Sequence, residues 1–331
     1  MKNFTYFRPS TTAEAVGLLE NKWGPVELLA GGTDLLDLQK EYVAQPDKVV
    51  SLGGIRELAA IQVEPGHIVI GAGAKLAAIA AHPELKQKFP ALTTAAGDVG
   101  GPQIRNMGTL GGNLCQRNRC WYFRDEHTPC LLKGGDKCFA LEGENRYHAI
   151  FTQGCPCVIV NPSTLAPGLI ALGAIAVVLG PNGERSIALD KFFQAPARAV
   201  DREHVLAANE VVTSVRIPTS AVKNASYEVR HKQSYDWPLV QAAVAFKLEG
   251  GKASDVKIVL GHVAPTPRVA IEAAQVLEGK EISEETATAA GKKAAQGAKP
   301  LKQNGYKTRL VEVAVKRALL TAAGQKRYWE V

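Results

Sequence analysis

The stretch from Cys115 to Cys157 constrains the fold of this chain more than any other feature. Its apolar periodicity fades, and Arg, Gly, Asn and Cys dominate it. A segment with so few periodic apolar residues has little core of its own, so other interactions must order it. Four cysteines could do so as metal ligands, because metal–thiolate bonds contribute folding free energy. They are Cys120, Cys130, Cys138 and Cys157. We therefore expect residues 115–157, here called the cysteine segment, to be a loop-like insertion held by side-chain ligands.

The spacing of these four cysteines does not identify a metal. Nine, seven and eighteen residues separate them in turn, which matches neither the paired C-x-x-C of zinc ribbons nor the run of bacterial ferredoxins. From the residues alone an iron–sulfur cluster, a zinc ion and free thiols all remain open, and His127 or His148 could replace one thiolate. Cys115 and Cys155 are then spare thiols. Six cysteines in a chain of 331 residues without a secretory signal favour reduced thiols over disulfides.

Two glycine pairs precede the cysteines and indicate an anion site. Gly31 and Gly32 follow an apolar stretch, and Gly111 and Gly112 follow Thr109. Glycine lets the backbone take positive φ and approach a phosphate closely, so that successive N–H groups form an anion nest. Each pair taken alone is more typical of a plain turn. We discount a dinucleotide-binding Rossmann motif at 71–76, because a leucine stands there in place of the third glycine.

Strand and helix patterns along the chain predict an α+β fold. A strand, the first glycine pair and a helix are expected in succession, and Thr11 with Glu14 predicts a capping box at an earlier helix start. Further helices are predicted at 76–81, 268–277, 284–295 and 308–322. Strands are predicted at 26–30, 48–52, 67–71, 158–160, 175–179, 185–189, 211–217, 226–231, 239–248 and 256–262. The pattern restarts after Pro218, so we place a domain boundary near 218–224.

The charge distribution and hydropathy exclude some partners. The net charge is +7, and residues 280–331 carry eleven Lys or Arg against five Glu, a balance of +6. Lys316, Arg317, Lys326 and Arg327 are spaced as on the solvated face of a helix, without interleaved aromatic residues, so we expect no nucleic-acid partner. The most apolar stretch, 165–180, is too short and too interrupted for a membrane span. No secretory signal is encoded, so we expect a cytoplasmic protein, or a periplasmic one if a partner subunit exports it.

The two glycine pairs also carry a family resemblance. Residues 29–35 and 103–114 resemble the two FAD-binding segments in the medium subunit of molybdenum hydroxylases, which include relatives of xanthine dehydrogenase, aldehyde oxidoreductase and carbon monoxide dehydrogenase. Residues 232–238 and 261–267 resemble that family's C-terminal flavoprotein domain. The resemblance implies that FAD contacts Leu29, Ala30, Gly31, Gly32, Thr33, Asp34, Leu35, Ile104, Asn106, Thr109, Gly111, Gly112 and Asn113.

Two further positions are candidate flavin contacts. Lys232 could present a cation to a flavin or a phosphate, although it is equally typical of a solvated lysine. Thr164 stands where the family has an aspartate near the flavin. A hydroxyl can replace one hydrogen bond of that aspartate but not its charge, so the flavin contact at this position is an open question.

The cysteine segment resembles one branch of the family. Residues 119–125 and 144–149, with Cys130 and Cys138, are similar to flavin subunits that carry an additional 4Fe-4S cluster, as in periplasmic aldehyde oxidoreductase and 4-hydroxybenzoyl-CoA reductase. In that branch the fourth ligand lies shortly before an apolar stretch and a Pro-Ser or Pro-Gly turn, which fits Cys157 better than Cys155. The resemblance therefore implies a cluster held by Cys120, Cys130, Cys138 and Cys157.

The resemblance also implies a fold and a function. A vanillyl-alcohol-oxidase-type FAD-binding domain at 1–220, with the insertion at about 115–157, would precede a ferredoxin-like C-terminal flavoprotein domain at 221–331. Electrons from oxidation of an aldehyde, a purine or an aromatic or heterocyclic substrate at the molybdenum cofactor of a large subunit would pass through 2Fe-2S clusters of a small subunit to FAD here. An external acceptor would then take them. The alternatives are a stand-alone flavin oxidase of the same fold and a zinc-stabilised scaffold without enzymatic activity.

Overall fold

The N-terminal part of the chain is built on a three-stranded parallel sheet. The computed structural model describes residues 1–152, 154–325 and 329. The strands of this sheet, in the spatial order β1-β3-β2, are β1 (Thr5–Phe7), β2 (Val26–Leu29) and β3 (Lys48–Ser51). Because parallel neighbours need crossover connections, helices α1 (Thr12–Gly17) and α2 (Leu35–Lys40) lie between the strands in sequence. The predicted succession of strand, glycine turn and helix at 26–40 is confirmed.

Helix α1 starts where it is predicted but has only half of the predicted capping box. The Thr11 hydroxyl accepts a hydrogen bond from the backbone N–H of Glu14 at 3.2 Å. The Glu14 carboxylate accepts instead from the backbone N–H and the hydroxyl of Ser10, at 2.8 and 2.9 Å. The reciprocal half of the motif is therefore wrong, because a neighbouring serine offers two donors to the same carboxylate oxygen.

A five-stranded antiparallel sheet forms the middle of the molecule. Its order is β4-β5-β8-β6-β7, with β4 (Ile61–Glu64), β5 (His67–Gly71), β6 (Ile175–Gly180), β7 (Gly183–Ala188) and β8 (Val211–Pro218). Between β5 and β6 lie α3 (Leu76–Ala81), α4 (Pro83–Lys88), α5 (Pro90–Asp98), α6 (Pro102–Met107), α7 (Leu110–Cys115), α8 (Trp121–Arg124) and α9 (Leu165–Ala171). The sheet and most of these helices share one apolar core.

Helices α4, α5 and α6 are not predicted from the sequence pattern. Each begins with a proline: Pro83, Pro90 and Pro102. Proline interrupts a helix interior, but at the first helical position its missing N–H has no partner to lose and its fixed φ suits the helix. Closely spaced prolines therefore mark three successive helix starts here.

The cysteine segment has little regular structure, as its composition predicts, but it does contain a small apolar cluster. Apart from α8 and a 3₁₀ turn at Leu131–Lys133, it contains no helix or strand among its described residues. Its cluster contains Leu38, Phe123, Leu132 and Ile159 with Cys130 and Cys157. The predicted strand at 158–160 is wrong. Val158 and Ile159 are buried, but residues 158–160 pair with no strand, and the Val158 carbonyl accepts from the N–H of Ala149 at 3.0 Å.

The C-terminal part is a four-stranded antiparallel sheet with helices on one face. The order β12-β11-β10-β9 contains β9 (Lys223–Val229), β10 (Val240–Glu249), β11 (Lys252–Gly261) and β12 (Arg268–Val269). The helices are α10 (Ile271–Gln275), α11 (Glu284–Ala294) and α12 (Tyr306–Ala322). Strand β10 reads as a continuous apolar run because both of its faces are buried. Ala243 and Ala245 face the middle core, whereas Val244 and Phe246 face the core under α11 and α12.

The mixture of sheets and helices confirms the predicted α+β class. The predicted helix at 268–277 is shorter than expected, because residues 268–269 form β12 and the helix begins at Ile271. Lys326 and Arg327 lie outside the described residues. No helix in the described part of the chain is long and apolar enough to cross a bilayer. A division at 220/221 stays a prediction.

Candidate functional site

A cavity of about 570 Å³ brings the two glycine segments together. It is bordered by the carboxyl end of β2, the loops around α6 and α7, and the loop at 235–238. Twelve of the predicted flavin contacts line it: Ala30, Gly31, Gly32, Thr33, Asp34, Leu35, Ile104, Thr109, Gly111, Gly112, Asn113 and Thr164. The first and second segments are separated by about seventy residues of sequence, so only the tertiary structure brings them to one site.

The first glycine turn, residues 31–34, presents unused backbone donors to this cavity. Among the described residues, no acceptor is found for the N–H groups of these four residues. Gly32 has a φ of +77°, a conformation that favours glycine. A Cβ added to Gly31 would overlap the backbone carbonyl of Met107. The turn therefore has both the bare surface and the free amides that an anion cradle requires.

The second glycine segment, residues 109–113, uses its amides internally. The N–H groups of Leu110 and Gly111 donate to the carbonyls of Ala74 and Ala72 at 3.0 and 2.8 Å. The N–H of Gly112 donates to the Thr109 hydroxyl, the N-cap of α7, at 3.1 Å. A Cβ at Gly111 would lie 2.9 Å from the Cβ of Ala72, which is too close. These glycines therefore allow close packing of the cavity wall rather than forming an anion nest.

A buried hydrogen-bond network lies behind the second segment. The Asn113 side-chain oxygen accepts from the Ser163 hydroxyl at 2.7 Å and from the N–H of Leu165 at 3.3 Å. The Thr164 carbonyl accepts from the Gln241 amide at 2.9 Å. This network fixes the start of α9 against α7 and β10, and Thr164 is thereby held at the cavity wall.

Three predicted contacts lie outside the cavity lining. Leu29 belongs to β2, where its carbonyl accepts from the N–H of Leu52 at 2.8 Å. Asn106 is an exposed residue of α6. Lys232 is exposed, and its backbone N–H donates to the Asp236 carboxylate at 3.3 Å. The structure thus brings twelve of the fifteen predicted residues into one cavity and leaves these three beside it.

Several residues that line the cavity are not predicted from the sequence. Tyr235 and Trp237 lie on the loop after β9. They belong to the family motif at 232–238, from which only Lys232 is predicted as a flavin contact. Lys75 also lines the cavity; its ammonium donates to the Met107 carbonyl at 2.9 Å, and burial lowers its pKa. The guanidinium of Arg119 lies over the Trp237 ring, 4.9 Å from the ring centroid. Two aromatic residues in an otherwise polar loop are the sequence feature that could have predicted this part of the cavity lining.

A group of largely buried charges lies at the cavity: Glu27, Arg117 and Arg202 line it, and Glu203 pairs with Arg117. Burial raises the pKa of Glu27 and lowers that of Arg202 to about 10, and their nearest atoms are 3.5 Å apart. Burial opposes the ionisation of Glu203, but Arg117 at 2.8 Å and the hydrogen bonds from Asn118 together outweigh it and hold the pKa of Glu203 below its usual value. Burial lowers the pKa of His204 to about 4, so this imidazole is neutral at pH 7. The two ion pairs partly offset the cost of burying these charged side chains.

Three of the four proposed cluster ligands lie near the fourth, Cys138. The Cys157 thiol hydrogen-bonds to Cys138, which lowers the pKa of Cys138 to about 6 and raises that of Cys157. Burial raises the pKa of Cys120 and of Cys130, and the charge of the nearby Cys138 adds to both shifts. Burial raises the pKa of the Cys120 thiol to about 12. Its sulfur lies 3.2 Å from Nε2 of His148, whose Nδ1 is buried without a hydrogen-bond partner among the described residues.

The two remaining cysteines are engaged elsewhere. Cys115 packs against the middle core, and burial raises its pKa to about 12. Cys155 directs its sulfur to the Pro196 carbonyl at 3.6 Å. Across the described ranges 1–152 and 154–325, no three His, Cys, Asp or Glu side chains are placed to hold one metal ion together. A cubane cluster makes a different demand, because each of its four cysteines binds a different iron and the sulfurs lie farther apart.

Comparison with known proteins identifies the class to which this fold and cavity belong. The family model described as the FAD binding domain in molybdopterin dehydrogenase matches residues 2–220, and the CO dehydrogenase flavoprotein C-terminal domain matches residues 225–322. The aldehyde oxidoreductase FAD-binding subunit PaoB of Escherichia coli (strain K12) is 32% identical over 98% of this chain and 100% of its own length. The carbon monoxide dehydrogenase medium chain of Hydrogenophaga pseudoflava is 29% identical, over 96% of each chain.

A solved structure agrees with these sequence matches. Carbon monoxide dehydrogenase from Hydrogenophaga pseudoflava, in a form that lacks the Mo-pyranopterin moiety, superimposes with a TM-score of 0.77 at 29% identity and covers 97% of both chains. The protein is thus a flavoprotein of the oxidoreductase class. It belongs to the family of FAD-binding subunits of multi-subunit molybdenum hydroxylases, as the resemblance of its glycine segments predicts.

Proposed function

We propose that FAD binds in the cavity with its pyrophosphate against the first glycine turn. The observation that carries this assignment is the set of four amides at 31–34, which have no acceptor among the described residues and border the cavity. Phosphate oxygens are the acceptors that such a turn selects. The Thr33 hydroxyl adds a donor, and the second glycine segment, with Ile104 and Thr164, supplies the wall. Leu29, Asn106 and Lys232 remain weaker candidates, because they lie beside the cavity.

The cysteine segment is the proposed site of a 4Fe-4S cluster. The Cys157 thiol hydrogen-bonds to Cys138, and Cys157 rather than Cys155 takes part, because the Cys155 sulfur points to the Pro196 carbonyl. Thiolates are ligands that soft metals prefer. The cluster, when bound, supplies one-electron transfer. The chain's own contribution is to bury the sulfurs and to donate backbone hydrogen bonds to them, as from the N–H groups of Phe123 and Ile159.

The chain's proposed role is to hold FAD as the electron-transfer component of its complex. Electrons would arrive from a molybdenum-binding large subunit through a 2Fe-2S small subunit and leave to an external acceptor. Substrate chemistry belongs to the large subunit, and the similarity to an aldehyde oxidoreductase subunit favours an aldehyde among the three substrate classes. Within this chain, the glycine turn binds the cofactor's phosphates and the buried ion pairs beside Glu27 close one side of the cavity.

An ultraviolet–visible spectrum of anaerobically purified protein tests these assignments together. We expect flavin absorption bands on a broad iron–sulfur shoulder, with four irons for each FAD. Single Cys→Ser variants at the four proposed ligands should lower the iron content, whereas Cys115→Ser and Cys155→Ser, the matched controls, should leave it unchanged. Both groups should keep the flavin.

Other spectra would contradict one part or the other. Flavin bands without iron, or zinc in place of iron, would exclude the cluster and leave the flavin site intact. Iron without flavin would exclude the flavin site. Loss of iron in Cys155→Ser but not in Cys157→Ser would show that the wrong member of the Cys-Pro-Cys pair had been assigned as a ligand.

A further inference from the structure

Asp34 ends the first glycine turn, but its carboxylate contacts the cysteine segment. One oxygen, Oδ2, accepts from the backbone N–H of Arg117 at 2.9 Å. The other, Oδ1, accepts from Nη2 of Arg124 at 2.6 Å and lies 3.1 Å from Nη2 of Arg119. Asp34 stands at the N-cap position of α2, where aspartate is common, but its side chain makes no capping hydrogen bond. The side chain joins two parts of the chain that are more than eighty residues apart.

These contacts are shielded from water and charge-assisted. The side chains of Asp34, Arg124 and Arg119 are 19%, 12% and 22% exposed. Nη1 of Arg124 reaches the Asp37 carboxylate at 2.7 Å, so one guanidinium spans two carboxylates of the same helix start. Partly buried, forked arginine–carboxylate contacts are stronger and more directional than ion pairs on the open surface.

The same arginines hold the backbone next to a proposed cluster ligand. Nε of Arg124 donates to the Asn118 carbonyl at 2.9 Å. The Asn118 side-chain oxygen accepts from the N–H of Cys120 at 3.1 Å. Arg119 contacts Asp34 on one side and the ring of Trp237, which lines the cavity, on the other. A continuous set of contacts therefore runs from the glycine turn to Cys120 and back to the cavity wall.

We propose that Asp34 is a positioning residue that docks residues 117–124 onto the glycine turn, so that FAD binding and the ordering of this segment stabilise each other. This proposal rests on the proposed flavin site but not on the identity of the metal. Since FAD binding fixes the turn that carries Asp34, it should also fix the arginines that the carboxylate holds. Thermodynamic linkage is reciprocal. If FAD binding stabilises the ordered form of residues 117–124 by some factor, ordering of these residues must raise the affinity for FAD by the same factor.

The test measures FAD affinity and hydrogen exchange in the full chain, after flavin removal and after re-addition of FAD. In the wild type, FAD should slow exchange in peptides covering 117–124. In Arg124→Gln, which leaves Asp34 itself intact, the Kd for FAD should rise at least about fivefold. The slowing of exchange at 117–124 should be lost. Asp34→Asn should have the same two effects, and the double variant should add little, because both changes remove one interaction.

Two control variants make the same chemical changes at side chains that are more exposed than those of Asp34 and Arg124. Asp37 is 52% exposed, so Asp37→Asn should have a smaller effect than Asp34→Asn. Arg146 is 54% exposed and pairs with Glu144, so Arg146→Gln should leave both readouts unchanged.

The outcomes separate the docking role from the flavin site. Wild-type affinity for FAD in Arg124→Gln, or undiminished protection of 117–124, would overturn the proposal while leaving the flavin site standing. A large loss in Asp34→Asn with none in Arg124→Gln would show that the contact between Asp34 and Arg124 does not couple FAD binding to the segment, which also overturns the proposal. A wild-type protein that binds no FAD would overturn both proposals.

Discussion

Single glycines have two different roles at the proposed flavin site. Gly32 gives the turn a left-handed conformation, whereas Gly31 and Gly111 allow close packing against Met107 and Ala72. The free amides belong to the first turn, and the amides of the second segment are satisfied by the protein itself. The two Gly-Gly pairs are similar in sequence but contribute differently to the cavity. We therefore expect a different effect of substitution at each position.

We expect Gly31→Ala to remove most of the bound flavin. The new methyl group would overlap the Met107 carbonyl, so the turn and the α6–α7 loop would have to move apart. The displaced amides should weaken FAD binding at least about tenfold, or ~1.4 kcal/mol. Gly17→Ala is the matched control, because a Cβ at Gly17 meets nothing within 4 Å. Flavin content per protein, measured after gel filtration, should fall in the first variant alone; full retention in Gly31→Ala would disprove the assignment.

At the scale of elements, the face of β9 and β10 that meets the middle core carries an unusual acidic group. Glu228 lies opposite Gln241 in the strand register, and its side chain is 2% exposed. Neither carboxylate oxygen has a hydrogen-bond partner among the described residues. Burial and the nearby Asp98 raise the pKa of Glu228 to about 8, although Arg230 at 3.7 Å opposes the shift. The folded protein therefore holds this carboxyl group protonated at neutral pH.

This protonation predicts a pH-dependent stability. Between about pH 4.5 and 8 the folded state keeps a proton that the unfolded chain releases, so the contribution of Glu228 to stability falls as the pH rises. Glu228→Gln should remove this slope, which is at most about 1.4 kcal/mol per pH unit. Urea unfolding at pH 5.5 and 7.5 measures it. The variant should gain stability relative to the wild type at the higher pH, and parallel profiles would contradict the assignment.

At the scale of the whole molecule, the cysteine segment is held by both the N-terminal and the C-terminal parts of the chain. Beyond its contacts with α2, its last part is held by the start of α12 and by the chain before it. Asn145 and Gln303 exchange hydrogen bonds at 2.8 and 3.0 Å. The buried ammonium of Lys307 donates to the carbonyls of Tyr147 and His262, both at 2.9 Å, and burial lowers its pKa to about 7. The segment is therefore positioned by the rest of the protein as well as by any metal.

Membership of a multi-subunit family predicts stable association. Co-expression of this chain with its adjacent genes and affinity purification should recover a complex that contains molybdenum and 2Fe-2S clusters. The Gly31→Ala variant should still assemble if the flavin site is separate from the subunit contacts. Purification of a lone monomer that oxidises a substrate at its own flavin would instead favour a stand-alone oxidase.

The sequence by itself determined the α+β class, the glycine turn and most strands, because these depend on local periodicity and on the conformational freedom of glycine. It also carried the family, since residues 29–35 and 103–114 keep the motifs of the flavin segments. It misassigned the strand at 158–160 and missed the proline-initiated helices α4, α5 and α6. Apolar runs and prolines each suit more than one local structure, and the surrounding packing selects among them.

Only the tertiary structure decided which site residues act together. The amides at 31–34 and at 110–112 look alike in sequence, yet acceptors from Ala72, Ala74 and Thr109 satisfy only the second group. Asp34 resembles a helix cap until Arg117 and Arg124 are brought to it from more than eighty residues away. Hydrogen-bond satisfaction and ion pairing depend on partners that are distant in sequence, and no local pattern encodes those partners.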